Sequence, residues 1–382
     1  MHTVLPTFKK LTVERMKLHI FNPEHDIALA RNDKYFTAPR AGRRLREDCG
    51  FLPALWADEG DFVLVGDVAK ARQLLADAIS TMSSISSQPL ATVSDKINFV
   101  TLHDLHKLPN DIQVEPWGWD SALLFQLTRN GLESLSLPDS DQLSTIRALS
   151  NRIFSSSLLR ELMDDRNLIS AVGPMVGQSW YATTVDKVRD LLSRLHSIVV
   201  KEPWSSSGRG VRYITDSIDT ATENWIRNTI AKQGGIMVEP RYKNIADLGM
   251  EFYSDGHHVV YRGLSLFSTC GGFYEGNIIA SEEDKAKLIS PLLPKKKLLI
   301  LSHTLEKELS SELAGKYTGP LGVDMLITDN HAVHPMVEIN LRRTMGHVAI
   351  DMYKLMKSDA AMGFVFTNGA YHFKVNPVAT LL

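Results

Sequence analysis

The chain has 382 residues, a length that predicts two or three units around a sizeable core. Hydrophobic residues make up 44% and charged residues 23%, which excludes a disordered or fibrous protein. Lysine plus arginine (42) nearly balances aspartate plus glutamate (44), for a net charge of -2, so coating nucleic acid or an anionic membrane is excluded as its main task.

Residues 1–15 carry no apolar signal stretch and read as a leader outside the fold. Residues 17–21 (KLHIF) read as a buried strand ending in the polar loop NPEHD, and a helix follows over 40–49. FVLV at 62–65 is a second strand, 70–84 has helical spacing, and 98–101 is a third strand. PWGWD at 116–120 then opens a helix over 123–129. Strands alternating with helices predict a mostly parallel sheet whose ligands collect at strand carboxyl ends. Asn22, Glu24 and Asp26 of the first loop, and Trp117, Trp119 and Asp120 of the second, are therefore candidates for a substrate pocket. Helix capping and packing between domains would explain the same residues.

The polar, proline-containing stretch 135–144 marks a domain boundary. A helix over 150–163, a short strand at 180–182, a helix at 185–195 and a strong β-run at 198–201 follow. From there to residue 340 the texture is of hairpins with Gly- and Asp-containing turns. Two cysteines, Cys49 and Cys270, cannot build a disulfide framework, and no Cys/His cluster has zinc spacing. No apolar run is long enough to span a bilayer. These features predict a cytoplasmic protein with no nucleic-acid or membrane partner.

Three segments carry chemistry. In IVVKEPWSSSGRGV (198–211) a buried strand delivers Lys201 to the segment Ser205, Ser206, Ser207, Gly208, Arg209, Gly210. Glycines allow close backbone approach, hydroxyls donate, and lysine supplies charge for a phosphate. Taken alone, such a loop is more often a plain hairpin connection. In GIMVEPRYKNIADLGMEFY (235–253) a strand ends at Glu239, and Asp247 opens the next one; an acid on an extended backbone can pair with an adenine edge, and a second can accept from ribose. In GPLGVDMLITDNHAVHPMVEINLRRTMGH (319–347) Asp324 faces a strand carrying Glu338 and Asn340 at i, i+2, hence on one face. Three oxygen donors on one face suit Mg²⁺. Arg342 continues the parity and places a guanidinium where charge develops on a transferring group. FSTCGGFYEGN (267–277) is a Gly-rich loop with Tyr274 as a further substrate candidate. His331 and His334 flank a turn and read as solvated, and His347 as structural.

Together, and in this order, the segments resemble the ATP-grasp family. The resemblance implies an α/β ATP-grasp fold, two α+β subdomains sandwiching ATP, preceded by an N-terminal parallel-sheet domain. The divisions it implies are 1–15 leader, 16–140 pre-ATP-grasp domain, 141–237 first subdomain with its lid, and 238–382 second subdomain with the metal site. It makes Lys201 the strand lysine on the phosphates, 205–210 the lid, Glu239 the hinge acid and Asp247 the ribose acid. Asp324, Glu338 and Asn340 become ligands of Mg²⁺, or alternatively Mn²⁺, and Lys201 and Arg342 the catalytic pair. Where the family carries an earlier lysine, this sequence offers Arg152. The implied activity joins a small-molecule or peptide carboxylate to an amine through an acyl phosphate, releasing ADP and phosphate, in a chain expected to be dimeric. A small-molecule kinase and a nucleotide-binding regulatory protein without turnover are the alternatives.

Overall fold

The computed structural model describes residues 15–205, 210–270 and 273–378. The predicted leader lies almost wholly outside these residues, as do Ser206 to Arg209.

The first layer is a parallel sheet of β1 (Lys17–Ile20), β2 (Phe62–Leu64), β3 (Asn98–Val100) and β4 (Gln113–Pro116), in the order β3-β2-β1-β4. Its strands are only three or four residues long, and β1 and β2 are almost wholly buried whereas β4 buries Val114 alone. β1 and β4 pair in parallel with Ile20 opposite Pro116. NPEHD and PWGWD therefore leave the sheet side by side at its carboxyl end. β4 escaped the sequence reading because QVEP alternates polar residues and closes on proline. The short helix His25–Arg31 was also missed, and Asp139 with Gln142 forms a capping box that turns half of the predicted linker into the helix Ser140–Leu149.

The second layer is a small sheet of β5 (Trp180–Ala182), β6 (Ser197–Lys201), β7 (Val211–Thr215) and β8 (Ile236–Pro240), ordered β5-β8-β6-β7. The third is a seven-stranded antiparallel sheet. It comprises β9 (Asn244–Asp255), β10 (Val259–Cys270), β11 (Phe273–Ile279), β12 (Thr318–Thr328), β13 (Val333–Asn340), β14 (Ala360–Thr367) and β15 (Ala370–Asn376). The hairpin texture expected over 198–340 is broken by helices Thr220–Gln233, Glu282–Ile289 and Lys295–Leu313. The expected division at 237/238 falls inside β8, and the small sheet closes at Pro240.

The core explains how the layers hold together. Leu248, Met250 and Phe252 of β9 project with strand parity into one cluster with Leu158, Leu159 and Leu162 of helix Arg152–Asp164. That helix, assigned by chain order to the small-sheet unit, thus packs on the large sheet, and its amino end reaches back toward β6. A second cluster joins Phe21 and Trp117 of the first layer to Val348 and Met352 of helix Met345–Met356 and to Val375 of β15. Phe252 is fully buried, so Phe252→Ala is expected to lower unfolding free energy by about 3–5 kcal/mol in urea titration.

Candidate active site

A cleft of about 1960 Å³ runs between the small and large sheets and ends against the first layer. At its small-sheet end, Val199 of β6 registers with Glu239 of β8, and Lys201 lies one strand position pair further along. Their side chains form an ion pair at 2.6 Å, each about 10% exposed. Beside them lies His334, which the structure buries at 2% exposure against the sequence expectation of a solvated turn residue. Burial pushes its imidazole down to about 4, with nearby Lys201 reinforcing this and Glu239 opposing it. His334 is therefore neutral at physiological pH. Asp247 sits farther along the same wall, accepting from Asn244 at 2.8 Å and Thr269 at 2.8 Å.

Arg152 occupies the place for which the sequence offered no lysine. Its guanidinium donates to the Glu202 carbonyl (2.6 Å), Ser205 Oγ (2.8 Å), the Ser205 carbonyl (3.2 Å) and Glu338 Oε2 (2.6 Å). One side chain thus ties the entry of the Ser/Gly segment to the large sheet. Gly210 closes that segment: it holds φ +70°, and a Cβ there would stand 2.9 Å from both Glu202 and Ser205, so only glycine fits. Ser206, Ser207, Gly208 and Arg209 lie outside the described residues.

The hairpin of β12 and β13 registers Asp324 opposite Glu338 and Gly322 opposite Asn340. Asn340 relays charge between two neighbours: Nδ2 donates to Asp324 Oδ2 at 3.0 Å, while Oδ1 accepts from Arg342 Nη2 at 2.9 Å. Arg342 Nε then reaches Asp26 Oδ2 of the first layer at 2.9 Å. Burial alone would depress the Arg342 guanidinium, but Asp26, Glu338 and Asp324 outweigh it and raise its pKa. Burial, then Glu338 and Glu251, push the Asp324 carboxyl up to about 7.

Glu251 was missing from the sequence reading, although it shares the strand parity of Asp247 and Gly249 and sits at 2% exposure in an apolar strand. The same argument that singled out Glu338 would have found it. Its carboxylate rests at the amino end of helix Met345–Met356, accepting from Thr344 Oγ1 at 2.7 Å with His347 Nδ1 at 2.9 Å, a favourable place for an anion. Gly346 makes room, since a Cβ there would meet Glu251 Oε1 at 2.0 Å. His347 is structural, as expected.

Of the substrate candidates, Glu24, Asp26, Trp117 and Tyr274 line the cleft. The others do not. Asn22 is buried and donates to the Gly118 carbonyl at 2.8 Å, Asp120 caps its helix through Leu123 N–H at 2.8 Å, and Trp119 packs into two hydrophobic clusters. These three fasten the paired loops together. Tyr274, which looked exposed in sequence, is half-buried and donates to Asn277 at 2.8 Å.

A divalent ion fits the chemistry of this wall. Among the described residues no three His, Cys, Asp or Glu side chains gather as a closed metal cage. Two carboxylates and an amide on the wall of an open cleft nevertheless suit an ion that takes one or two protein carboxylates and completes its shell with phosphate and water. Burial first, and then the charges of Glu338 and Glu251, disfavour the ionised Asp324 carboxylate, and a cation beside it would favour that form.

The structure is similar to the biotin carboxylase domain dimer of Hydrogenobacter thermophilus 2-oxoglutarate carboxylase, in complex with MgADP, ADP and bicarbonate. The TM-score is 0.51 at 11% identity, covering 92% of this chain and 75% of that one. It is also similar to a Campylobacter jejuni biotin carboxylase in a β,γ-ATP complex, with TM-score 0.50 at 10% identity, covering 92% and 76%. The fold is the ATP-grasp fold. The parallel first layer agrees with the expected pre-ATP-grasp domain. No protein-family model matches the sequence, and no curated protein matches it. Among the described residues no helix is long and apolar enough to cross a membrane.

The Asp324 shift has a direct consequence for stability. The folded carboxyl has a raised pKa, so from about pH 4 to about pH 7 it stays protonated where the unfolded one has ionised, and stability falls as pH rises through that window. Asp324→Asn is expected to flatten this loss by on the order of 1–3 kcal/mol between pH 5 and pH 8, read by urea denaturation without added metal.

Proposed function

We propose that the protein is an ATP-dependent ligase joining a carboxylate to an amine through an acyl phosphate, with release of ADP and phosphate. The observation that carries this reading is the set of charged side chains along one cleft: the Lys201–Glu239 pair, the Arg152–Glu338 pair, and Asp324 linked through the Asn340 amide to Arg342 and Asp26. Support also comes from the ADP, MgADP and bicarbonate bound by the Hydrogenobacter domain, whose fold this chain shares.

In this reading Glu239 meets the nucleotide base, Lys201 meets the phosphates, and Asp247 accepts from the ribose. Arg152 and Ser205 hold the phosphates under the segment that runs to Gly210. Asp324 and Glu338 would hold Mg²⁺ with Asn340 beside them; when bound, the ion neutralises phosphate charge. A substrate carboxylate attacks the γ-phosphorus, expelling ADP, and the amine then attacks the acyl carbon, loses a proton and displaces phosphate. Arg342 steadies the oxyanion that forms. Asp26 acts through it, holding the planar guanidinium in one orientation from the opposite layer. Because the protein forms no covalent bond to substrate, positioning and charge carry the rate. Exclusion of water from the cleft protects the acyl phosphate.

Arg342→Ala is expected to lower kcat by about 10²–10³, as for removal of one oxyanion donor. Glu338→Ala should lose Mg²⁺-dependent ADP release while its circular dichroism and melting stay native-like; retained turnover in the folded variant removes the metal assignment. Incubation with ATP, Mg²⁺ and pooled amino acids and peptides should yield ADP and phosphate, and hydroxylamine should trap a hydroxamate. Appearance of AMP and pyrophosphate, or of a stable phosphorylated product without hydroxamate, overturns the ligase reading.

A further inference from the structure

The two ends of the cleft differ in charge. Five cations line its nucleotide end, namely Arg152, Lys201, Arg212, Arg241 and Lys243, whereas Arg342 alone stands at the other. The first layer contributes two ionic side chains to the wall, Glu24 and Asp26, and Arg46 of the same layer is ion-paired with Glu24. Asp26 is engaged with Arg342. Glu24 Oε1 accepts from Arg46 Nη1 at 2.9 Å, but Oε2 is buried and has no hydrogen-bond partner among the described residues. A buried carboxylate oxygen without a donor is an unfavourable arrangement that an arriving N–H group would relieve.

The rest of this end is apolar. Phe21 and Trp117 meet edge to face with centroids 5.1 Å apart. With Leu45, Met345, Phe364 and Tyr371 they belong to the hydrophobic cluster that joins the first layer to the large sheet, and all six also face the cleft. A phosphorylated or polyanionic acceptor would need paired cations here, and the wall offers acids and aromatic rings instead. Apolar surface with a few placed polar groups is the usual make-up of a site for an organic small molecule.

From this we infer that the first-layer end of the cleft binds an amine that is cationic in solution and carried on an apolar or aromatic body. Its ammonium donates to Glu24, and its body lies against the wall of Phe21, Trp117 and Phe364. This amine is the second substrate of the ligase proposed above, and the assignment rests on that reading. The pairing is selective in both parts: the unpartnered Glu24 oxygen favours an N–H donor over a carboxylate, and the rings favour a large side chain over a small one.

Isothermal titration of the full chain with phenethylamine, ethylamine and phenylacetate tests it. Phenethylamine is expected to bind at least about tenfold more tightly than ethylamine, which lacks the ring, and than phenylacetate, which reverses the charge. Glu24→Gln should weaken phenethylamine by roughly tenfold, with folding checked by circular dichroism. Phe366→Ala, at a cleft-lining position that is 60% exposed and so tolerant of change, should narrow the gap between phenethylamine and ethylamine. Equal or tighter binding of phenylacetate, absence of phenethylamine binding, or unchanged affinities in both variants overturns the inference. Hydroxamate formation is read separately. A chain that binds phenethylamine as described yet makes no hydroxamate loses the ligase reading, whereas one that makes hydroxamate but prefers phenylacetate loses only the amine site.

Discussion

The structure depends on keeping several carboxylates close together on one face of the large sheet. Burial, and then the nearby charges of Glu338 and Glu251, raise the Asp324 pKa well above an ordinary carboxyl. Such crowding is unfavourable in a low-dielectric interior unless each group has a partner. Each does, and the partners come from different parts of the chain. Glu338 meets Arg152 from an earlier helix, Glu251 meets Thr344 and His347 at a helix amino end, and Asp324 meets the Asn340 amide.

The three layers exist to bring these partners together. β9 is central, because one face sends Leu248, Met250 and Phe252 into the core while the other presents Asp247 and Glu251 to the cleft. The small sheet supplies Lys201 and Glu239 on neighbouring strands, and helix Arg152–Asp164 bridges from the large sheet to the collar around Ser205. That collar is firm. Glu202 accepts from Trp225 at 3.2 Å and from Gln233 at 3.1 Å, so the segment beyond it departs from a fixed base.

Much of this was legible from residue order. Acids inside apolar runs, as at Glu239 and Glu338, are hard to explain except by a partner or a ligand, and the i, i+2 spacing placed Glu338 and Asn340 on one face. Glu251 obeys the same rule and was overlooked because its neighbours drew attention to the loop before it. His334 was misread for a different reason: a residue just after a turn looks solvated, and only the packing of Tyr242 against it, at 5.6 Å between rings, reveals its burial. Asn22, Trp119 and Asp120 could not be separated from Glu24 and Asp26 by sequence, since both loops leave strand ends and differ only in which side chains turn toward the neighbouring loop. Helices within the third layer were hidden by a hairpin-like texture of glycines and aspartates.

The bond between Asp26 and Arg342 joins residues 316 positions apart. A nascent chain leaving the ribosome therefore presents the acid long before its arginine has been synthesised, and the last two strands that brace the first layer come later still. Asp26 therefore stays without this partner until residue 342 has been made, so the first layer and the large sheet are joined at this point late in synthesis.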